Sequence, residues 1–248
     1  MIAISGCGNR EERPLLVGME LAYPPFEMSD ESGRPAGVSV DLAHALGRHL
    51  QQDVRIENIP FDGLIPALKT GRIDLIISSM TATEERALSV DFSDPYLRTG
   101  LAILAGKGRN VAGIEALNRP ERTVAVKIGT TSHTYATEHL TQANVLVLNK
   151  ESACVLEVIQ GKADAFLYDQ LSTYRNWNRH RNETEALLVP FQEEAWAVAI
   201  RKGNDSLRLT VNDFLAAFRK EGGFDRLTEA HLAEMKQAFD ELGYPFVF

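Results

Sequence analysis

Short apolar runs alternate with amphipathic stretches along the chain, and this alternation predicts an α/β fold. In the first half, the predicted elements are a strand at 15–19, a helix from Ser39, a strand at 54–59, a helix at 61–69 and a strand at 73–77. In the second half, they are a strand at 123–126, a helix at 131–140, a strand at 145–148, a helix at 151–160 and a strand at 163–168. An apolar run at 101–104 lies between the two sets, and the tail at 205–242 is predicted to be helical.

Single residues predict where the first two helices begin and end. Ser39 is a favoured N-cap residue, and Asp62 is expected to cap the helix at 61–69. Pro66 is expected in the first turn of that helix, where a missing N–H costs nothing. Gly71 is the predicted stop.

A four-residue pattern occurs once in each half of the chain. Gly71-Arg72-Ile73-Asp74 and Gly161-Lys162-Ala163-Asp164 both follow an apolar helix and lead into an apolar strand. This repetition favours two α/β lobes, whose ligand would lie at the carboxyl ends of the strands. The alternative is that a glycine followed by a charge is common punctuation between a helix and a strand.

Composition and charge exclude several classes of protein. The 248 residues include 26 Lys and Arg against 34 Asp and Glu, which gives a net charge of −8. An acidic chain without a basic block argues against a nucleic-acid partner, and no apolar run is long enough for a membrane span. The sequence holds no motif of a catalytic nucleophile, a phosphate-binding loop or a metal site, so we expect no catalytic site, metal or cofactor.

The segment from Ser78 to Arg86 carries the most concentrated binding chemistry. It follows a predicted strand and offers serine and threonine hydroxyls, free backbone N–H groups and one guanidinium. A guanidinium is a planar fork of donors that suits a carboxylate. The alternative is that Arg86 pairs with Glu84 or Glu85 at the surface.

Several ordered segments resemble the polar amino-acid-binding proteins of ABC importers, the bacterial extracellular solute-binding proteins of family 3. Leu16–Glu27, with its Tyr-Pro-Pro-Phe-Glu end, resembles the opening of that family. The other segments are 37–42, 61–68, 80–86, 91–96, 124–131 and 161–165. Residue 39 is a departure, because the family usually has an aspartate where this chain has serine.

The resemblance implies a two-lobed periplasmic-binding-protein fold of type II, with two crossover hinge strands. It places lobe one at 15–97 plus 196–248 and lobe two at 101–191. The hinges then fall near 96–100 and 192–196, and residues 1–14 form an N-terminal tether.

The resemblance also implies the roles of the ligand-binding residues. Arg86 would clamp the α-carboxylate of an amino acid, together with Thr81 and the backbone at Ser79, while N–H groups near Thr131 come from the other lobe. Asp169 would accept the α-ammonium group. Tyr23 and Phe61 match two aromatic residues that, in the family, pack on either side of the ligand side chain. The remaining predicted lining residues are Glu20, Met80, Lys127 and Tyr168.

The residues expected around the ligand side chain favour a polar L-amino acid, glutamine or basic ahead of acidic. Glu20 favours a cationic or donor-rich side chain, and Lys127 matches a lysine that reaches a side-chain carbonyl in glutamine-binding relatives. Glu20 and Lys127 together would bind the donor and acceptor ends of a side-chain amide, or their two charges would neutralise each other. Glu193 and Glu194 are expected to be solvated, with a contribution of negative potential as the alternative.

The two cysteines are predicted to have different roles. Ile4-Ser5-Gly6-Cys7 resembles a bacterial lipobox, so we expect lipidation at Cys7 and a location in the periplasm or at the cell surface. The alternative is an ordinary N-terminus, because the preceding residues lack a basic start and a full apolar region. Cys154 lies at an apolar helical position and is expected in the core.

The function implied is capture of the amino acid by lobe closure and its delivery to an ABC permease by a monomeric binding protein. Two alternatives share the fold. One is an enzyme similar to cyclohexadienyl dehydratases, which needs a general acid in a dry pocket. The other is the ligand-sensing domain of a signalling receptor.

Overall fold

The computed structural model describes residues 13–246, which form helices and strands in alternation. The strands are β1 Leu15–Met19, β2 Ala22–Tyr23, β3 Glu27–Ser29, β4 Pro35–Ala36, β5 Val54–Asn58, β6 Leu75–Ile76, β7 Val90–Phe92, β8 Leu97–Gly106, β9 Thr123–Lys127, β10 Asn144–Leu148, β11 Ala165–Asp169, β12 Thr184–Trp196 and β13 Ala199–Arg201. The helices are α1 Val38–Leu50, α2 Phe61–Lys69, α3 Glu84–Ala87, α4 Thr131–His139, α5 Glu151–Ile159, α6 Gln170–Arg179, α7 Asp205–Lys220, α8 Gly223–His231 and α9 Ala233–Leu242, with a 3₁₀ turn at Ile114–Leu117.

Two five-stranded sheets organise the chain. The first has the order β5-β1-β6-β13-β7, with parallel pairing at β1 and antiparallel pairing at β13. The second has the order β10-β9-β11-β8-β12, in which β9, β10 and β11 are parallel. A small sheet of β2, β3 and β4 adjoins the first. The predicted α/β class is confirmed.

Two long strands connect the sheets. β8 follows β7 of the first sheet, and β12 leads back to β13. They pair antiparallel from Leu97 opposite Trp196 to Gly106 opposite Thr184, with a register shift between Leu187 and Gln192. The chain therefore crosses between the sheets twice, side by side, as a two-lobed fold with crossover strands requires. The residue boundaries given above for lobes and hinges stay predictions.

Apolar side chains cover both faces of each sheet. The face of α1 that carries Val38, Leu42 and Leu46 is buried against the first sheet. Each fully buried leucine contributes about 2 kcal/mol of hydrophobic stabilisation. Cys154 is buried in the second lobe, as predicted, and burial raises the pKa of its thiol to about 12.

The predicted N-caps of the first two helices are wrong. α1 begins at Val38 after Gly37, and Ser39 lies inside the helix, where its hydroxyl donates to Glu27 at 2.6 Å. The Ser39 hydroxyl is therefore bonded to the buried carboxyl of Glu27 and does not cap the helix. α2 follows Pro60 without a side-chain cap, so Asp62 lies in the first turn but is not the cap.

Three boundaries also differ from the predictions. Pro66 lies in the interior of α2, beyond its first turn. β6 is shorter than the predicted strand, and the predicted helical tail is divided at Gly222, which has φ +70°, and near Leu232. Among the described helices, none combines the length and the apolar character that a membrane crossing needs.

Gly37 fixes the start of α1. Its φ of +112° and ψ of −178° belong to a region that only glycine adopts readily. A Cβ atom there would lie 2.5 Å from the carbonyl oxygen of Phe26, which accepts the N–H of Ser39.

We expect Gly37→Ala to lower the free energy of unfolding by at least about 2 kcal/mol, because it adds a backbone clash to a strained conformation. Urea denaturation measures the change. Gly108→Ala is the matched control, since Gly108 has φ +74° with open space around it. Its cost should stay near about 1 kcal/mol, as for an ordinary left-handed residue. Equal losses in the two variants would contradict this account.

Candidate functional site

A cavity lies where the two sheets face each other. The polar residues around it follow the ends of parallel strands. Glu20 follows β1, Ser78 and Ser79 follow β6, and Asp169 ends β11. The carboxyl ends of strands from both sheets therefore supply the wall, as expected for an open α/β sheet.

Most of the predicted site residues line this cavity. The nine that do are Glu20, Tyr23, Phe61, Ser79, Thr81, Arg86, Thr131, Tyr168 and Asp169. Met80 is buried in the core of the first lobe, and Lys127 lies behind Glu20 rather than in the wall. The lining residues that the sequence analysis did not assign to the site are Glu27, Ser78, Leu101, Thr130, Glu194 and Trp196.

Arg86 spans the gap between the two lobes. Thr83 caps the short helix α3 by accepting the N–H of Arg86. The guanidinium donates from Nη1 to the Thr81 carbonyl oxygen at 2.8 Å and from Nη2 to the Gly129 carbonyl oxygen at 2.9 Å. Burial lowers the pKa of Arg86, while the carboxylate of Glu194 raises it. Within 13–246, no ion pair joins Arg86 to Glu84 or Glu85, so the surface-pair alternative is not what the structure shows.

Asp169 stands at the opposite side of the cavity. As the N-cap of α6, it accepts the N–H of Ser172 at 2.9 Å and the hydroxyl of Tyr23 at 2.7 Å, both on Oδ1. Burial raises the pKa of Asp169 to about 6, although these two hydrogen bonds lower it. The carboxyl is therefore mainly ionised at neutral pH, and Oδ2 is left to accept from a ligand.

Glu20 and Lys127 form an ion pair between the two sheets. Lys127 ends β9, and its ammonium also lies 5.3 Å from the centre of the Phe61 ring. The guanidinium of Arg86 lies 5.5 Å from the same ring centre. The lysine is almost fully buried, so its charge is compensated inside the protein and Glu20 alone reaches the wall.

The buried carboxyl of Glu27 holds three serine hydroxyls at or beside the wall of the cavity. Its carboxyl accepts from the hydroxyls of Ser39 and Ser79 on Oε2 and from the hydroxyl of Ser78 on Oε1. Ser78 in turn accepts the N–H of Glu20 at 3.0 Å, and Ser79 is held at φ +47°. Burial raises the pKa of Glu27 to about 8, although the three hydroxyls lower it.

Glu194 is buried, which corrects the expectation of a solvated side chain, whereas Glu193 is exposed. It lies on β12, and its Oε2 accepts the hydroxyl of Thr81 at 3.0 Å. Burial raises the pKa of Glu194 against the lowering influence of the Thr131 and Thr81 hydroxyls.

An aromatic cluster closes the base of the cavity. The Trp196 ring centre lies 5.9 Å from that of Tyr23 and 5.1 Å from that of Phe26. Tyr168 meets Tyr23 edge-on at 6.0 Å. These rings exclude water from the charged groups beside them, which strengthens every electrostatic interaction in the cavity.

The described residues contain no group of three or more histidine, cysteine, aspartate or glutamate side chains arranged to hold a metal ion. Cys7, the predicted lipidation site, lies outside the described residues. The wall instead offers the guanidinium of Arg86 at one side, the carboxylate of Asp169 at the other and aromatic surface between them. Such a wall can bind a small molecule that carries both signs of charge.

A family model and a curated relative both match nearly the whole described chain. The model of the bacterial extracellular solute-binding proteins, family 3, matches residues 15–234. The L-cystine-binding protein TcyJ of Escherichia coli (strain K12) is 30% identical over 221 residues, which are 89% of this chain and 83% of that protein.

Two solved structures have a similar fold. The ancestral amino acid-binding protein AncCDT-1, described as a precursor of cyclohexadienyl dehydratase, has a TM-score of 0.81 and 37% identity, covering 88% of this chain and 95% of its own. An ancestral arginine-binding protein bound to arginine has a TM-score of 0.83 and 33% identity, covering 90% of this chain and 99% of its own.

The raised pKa of Glu27 predicts how stability depends on pH. A carboxyl whose pKa rises from 4.5 when exposed to about 8 when folded destabilises the fold as pH increases through that interval. We expect the free energy of unfolding to fall from pH 5 to pH 8, and Glu27→Gln to reduce that fall by more than about 1 kcal/mol.

Urea denaturation at several pH values measures both quantities. Glu57→Gln is the matched control, because Glu57 is partly exposed and lies on β5, away from the cavity. An unchanged pH profile in Glu27→Gln would show that Glu27 ionises normally in the folded protein.

Proposed function

The chain belongs to the bacterial extracellular solute-binding proteins, family 3, and on that premise we propose that it captures a polar L-amino acid and delivers it to an ABC permease. The observation that carries the proposal is the placement of Arg86 and Asp169 at one cavity, from opposite lobes. An α-amino acid carries one negative and one positive group on the same carbon. Burying both is tolerable only when each is paired and hydrogen-bonded.

We infer that Arg86 and the N-terminus of α4 form the positive side of the cavity, which would bind the α-carboxylate of the ligand. Two of the guanidinium N–H groups are used by the carbonyl oxygens of Thr81 and Gly129, which leaves three for a ligand. Thr131 is the first residue of α4, whose free N–H groups and dipole favour an anion. Ser79 and Thr81 complete the same side of the cavity.

Asp169 forms the negative side of the cavity, which would bind the α-ammonium group of the ligand. Because Tyr23 and Ser172 hold Oδ1, the carboxylate is fixed in orientation before the ligand arrives. Preorganisation of this kind reduces the entropic cost of binding. The rings of Phe61 and Tyr23 leave an apolar surface for the methylene groups of the ligand.

The ligand would stabilise closure because its two charges touch different lobes. Hydrogen bonds already cross between the two walls, from Tyr23 to Asp169 and from Arg86 to the Gly129 carbonyl oxygen. A ligand adds contacts that exist only when the lobes are together, so it shifts the population toward the closed form.

We propose binding without catalysis. The relatives are named as binding proteins, and AncCDT-1 itself is described as amino acid-binding. Its description as a precursor of cyclohexadienyl dehydratase, together with the buried acid Glu194, makes prephenate the relevant test substrate for the enzymatic alternative. Consumption of prephenate would overturn this part of the proposal.

Membership of an extracellular solute-binding family supports a location outside the cytoplasm. We propose a monomer in the periplasm or at the cell surface, anchored by lipid at Cys7 and working with an ABC permease. Mass spectrometry of the protein isolated from membranes of its native host tests the anchor. A gene neighbourhood without a permease would favour the sensing alternative.

We expect Arg86→Ala and Asp169→Asn each to weaken binding at least about 100-fold, because each leaves one buried ligand charge unpaired. Asparagine retains the helix-capping role of Asp169, so α6 should persist. Isothermal titration calorimetry with L-arginine and L-glutamine measures the loss, and circular dichroism checks folding. Arg72→Ala is the control, since Arg72 is exposed on the same lobe as Arg86. Binding at full affinity by either site variant would overturn the site assignment.

A further inference from the structure

A buried cluster of charged and polar side chains lies next to Asp169, outside the wall of the cavity. Glu151, the first residue of α5, is 7% exposed, and its Oε1 accepts from the Ser172 hydroxyl at 2.6 Å and the Asn176 amide at 2.7 Å. The same oxygen accepts from the guanidinium of Arg175, and the two residues form an ion pair. Neither Glu151 nor Arg175 lines the cavity, so neither group would touch a ligand bound there.

The first turns of α6 connect this cluster to Asp169. Ser172 donates its hydroxyl to Glu151 and its backbone N–H to Oδ1 of Asp169, the N-cap of the same helix. Arg175 and Asn176 lie one turn further along the helix and donate to the same oxygen of Glu151. Three side chains of α6 therefore converge on one buried carboxyl, and this helps to fix the end of the helix that presents Asp169.

Arg175 also contacts the aromatic ring that donates to Asp169. Its guanidinium carbon lies over the ring of Tyr23, 5.4 Å from the ring centre, and the Tyr23 hydroxyl donates to Oδ1 of Asp169 at 2.7 Å. α6 packs against the second sheet, whereas Tyr23 belongs to the small sheet that adjoins the first. Because a buried cation is attracted to an aromatic face, Arg175 holds the Tyr23 ring where its hydroxyl meets the carboxylate.

Two opposite charges of the cluster act on the carboxyl of Asp169. Burial raises the pKa of Asp169 to about 6, the hydrogen bonds from Tyr23 and Ser172 lower it, Glu151 raises it and Arg175 lowers it. A neighbouring cation stabilises an ionised carboxylate, and a neighbouring anion destabilises it. Since only the ionised form pairs with an α-ammonium group, both charges would affect the strength of ligand binding.

Other titratable and charged groups surround these residues. Those that share the cavity with Asp169 are Glu20, Tyr23, Glu27, Arg86, Tyr168 and Glu194. Those that share an outer groove with Arg175 are Arg179, His231 and Glu234. Substitution of Arg175 or Glu151 leaves all of them in place, so a difference between such variants reports the two substituted charges.

We propose that Arg175 is a positioning residue of the ammonium side of the cavity, that it acts through Tyr23 and Asp169 without touching the ligand, and that Glu151 holds it there. The inference rests on the proposed function, which assigns Asp169 to the α-ammonium group. The charge of Arg175 favours the ionised form of Asp169. Its contact with the ring keeps the Tyr23 hydroxyl directed at the same carboxylate.

Two measurements on the whole chain between pH 4.5 and pH 8 test this proposal. Carbon NMR spectroscopy follows the titration of the Asp169 carboxyl without ligand, and Asp169→Asn assigns the signal by its loss. Isothermal titration calorimetry with L-arginine and L-glutamine gives the affinity at each pH. We expect the affinity of the unmodified protein to fall below about pH 6, because protonated Asp169 cannot pair with an ammonium group.

The two charges of the cluster predict opposite changes. Arg175→Gln should move the Asp169 midpoint at least about 0.5 pH units higher, because a cation is removed. It should also weaken binding at pH 7.5 at least about threefold, because the contact with the Tyr23 ring is lost. Glu151→Gln keeps an acceptor for Ser172 and removes an anion, so it should move the midpoint lower.

Two further variants separate charge from packing. Arg175→Lys keeps the charge and should restore the midpoint but not the full affinity, since an ammonium group lacks the planar surface of a guanidinium. Arg179→Gln is the matched control, because Arg179 is exposed one turn further along α6, and it should behave as the unmodified protein.

A second background keeps the test decisive if Arg175→Gln does not fold because Glu151 has lost its partner. Arg175→Gln combined with Glu151→Gln removes both buried charges, and its midpoint should lie above that of Glu151→Gln alone.

Three results would overturn the proposal. The first is a loss of affinity in Arg175→Gln with an unchanged Asp169 midpoint, because Arg175 would then only support the fold. The second is movement of the midpoint in the same direction in Arg175→Gln and Glu151→Gln, and the third is an equal movement in Arg179→Gln. The NMR titration needs no ligand, so calorimetric silence with every amino acid would instead defeat the proposed function.

Discussion

Charges taken out of water must be matched by charges of opposite sign, and this constraint governs the cavity between the two lobes. Arg86 and Asp169 face the cavity from different sheets, and Glu20 and Lys127 join the lobes beside them. Neither lobe can satisfy these groups alone. Carbonyl and hydroxyl partners already cross the gap, and an amino acid would add its full charges to this pairing. In the proposed function, recognition and closure are therefore the same electrostatic event.

The local structure serves this arrangement. Each sheet presents polar residues at the carboxyl ends of its parallel strands, and β8 with β12 hold the two ends face to face. Glu27 ties the start of α1 to the loop after β6 through serine hydroxyls, at the cost of a buried carboxyl with a raised pKa. This polar network thus fixes the loop after β6 at the wall of the cavity.

The sequence predicts the fold well because apolar periodicity records which faces are buried. The resemblance to the family identifies nine lining residues, because the family's motifs occur in this chain in the same order. The sequence does not predict that Glu194 is buried. Glu194 lies on a strand that crosses between the lobes, so its exposure depends on contacts with distant parts of the chain, which no local pattern records. Ser39 shows the same limit: a hydroxyl ahead of a helix predicts a cap, but the distant Glu27 is the partner that binds it.

The central claim is that one molecule's α-carboxylate and α-ammonium join the two lobes. Thermal unfolding of refolded, ligand-free protein with L-arginine, agmatine and N-acetyl-L-arginine tests it most directly, because the last two each lack one α-charge. At 100 times its dissociation constant, L-arginine should add about 2.7 kcal/mol of stability, while the two analogues at the same concentration add almost none. Equal stabilisation by agmatine or N-acetyl-L-arginine would contradict the account.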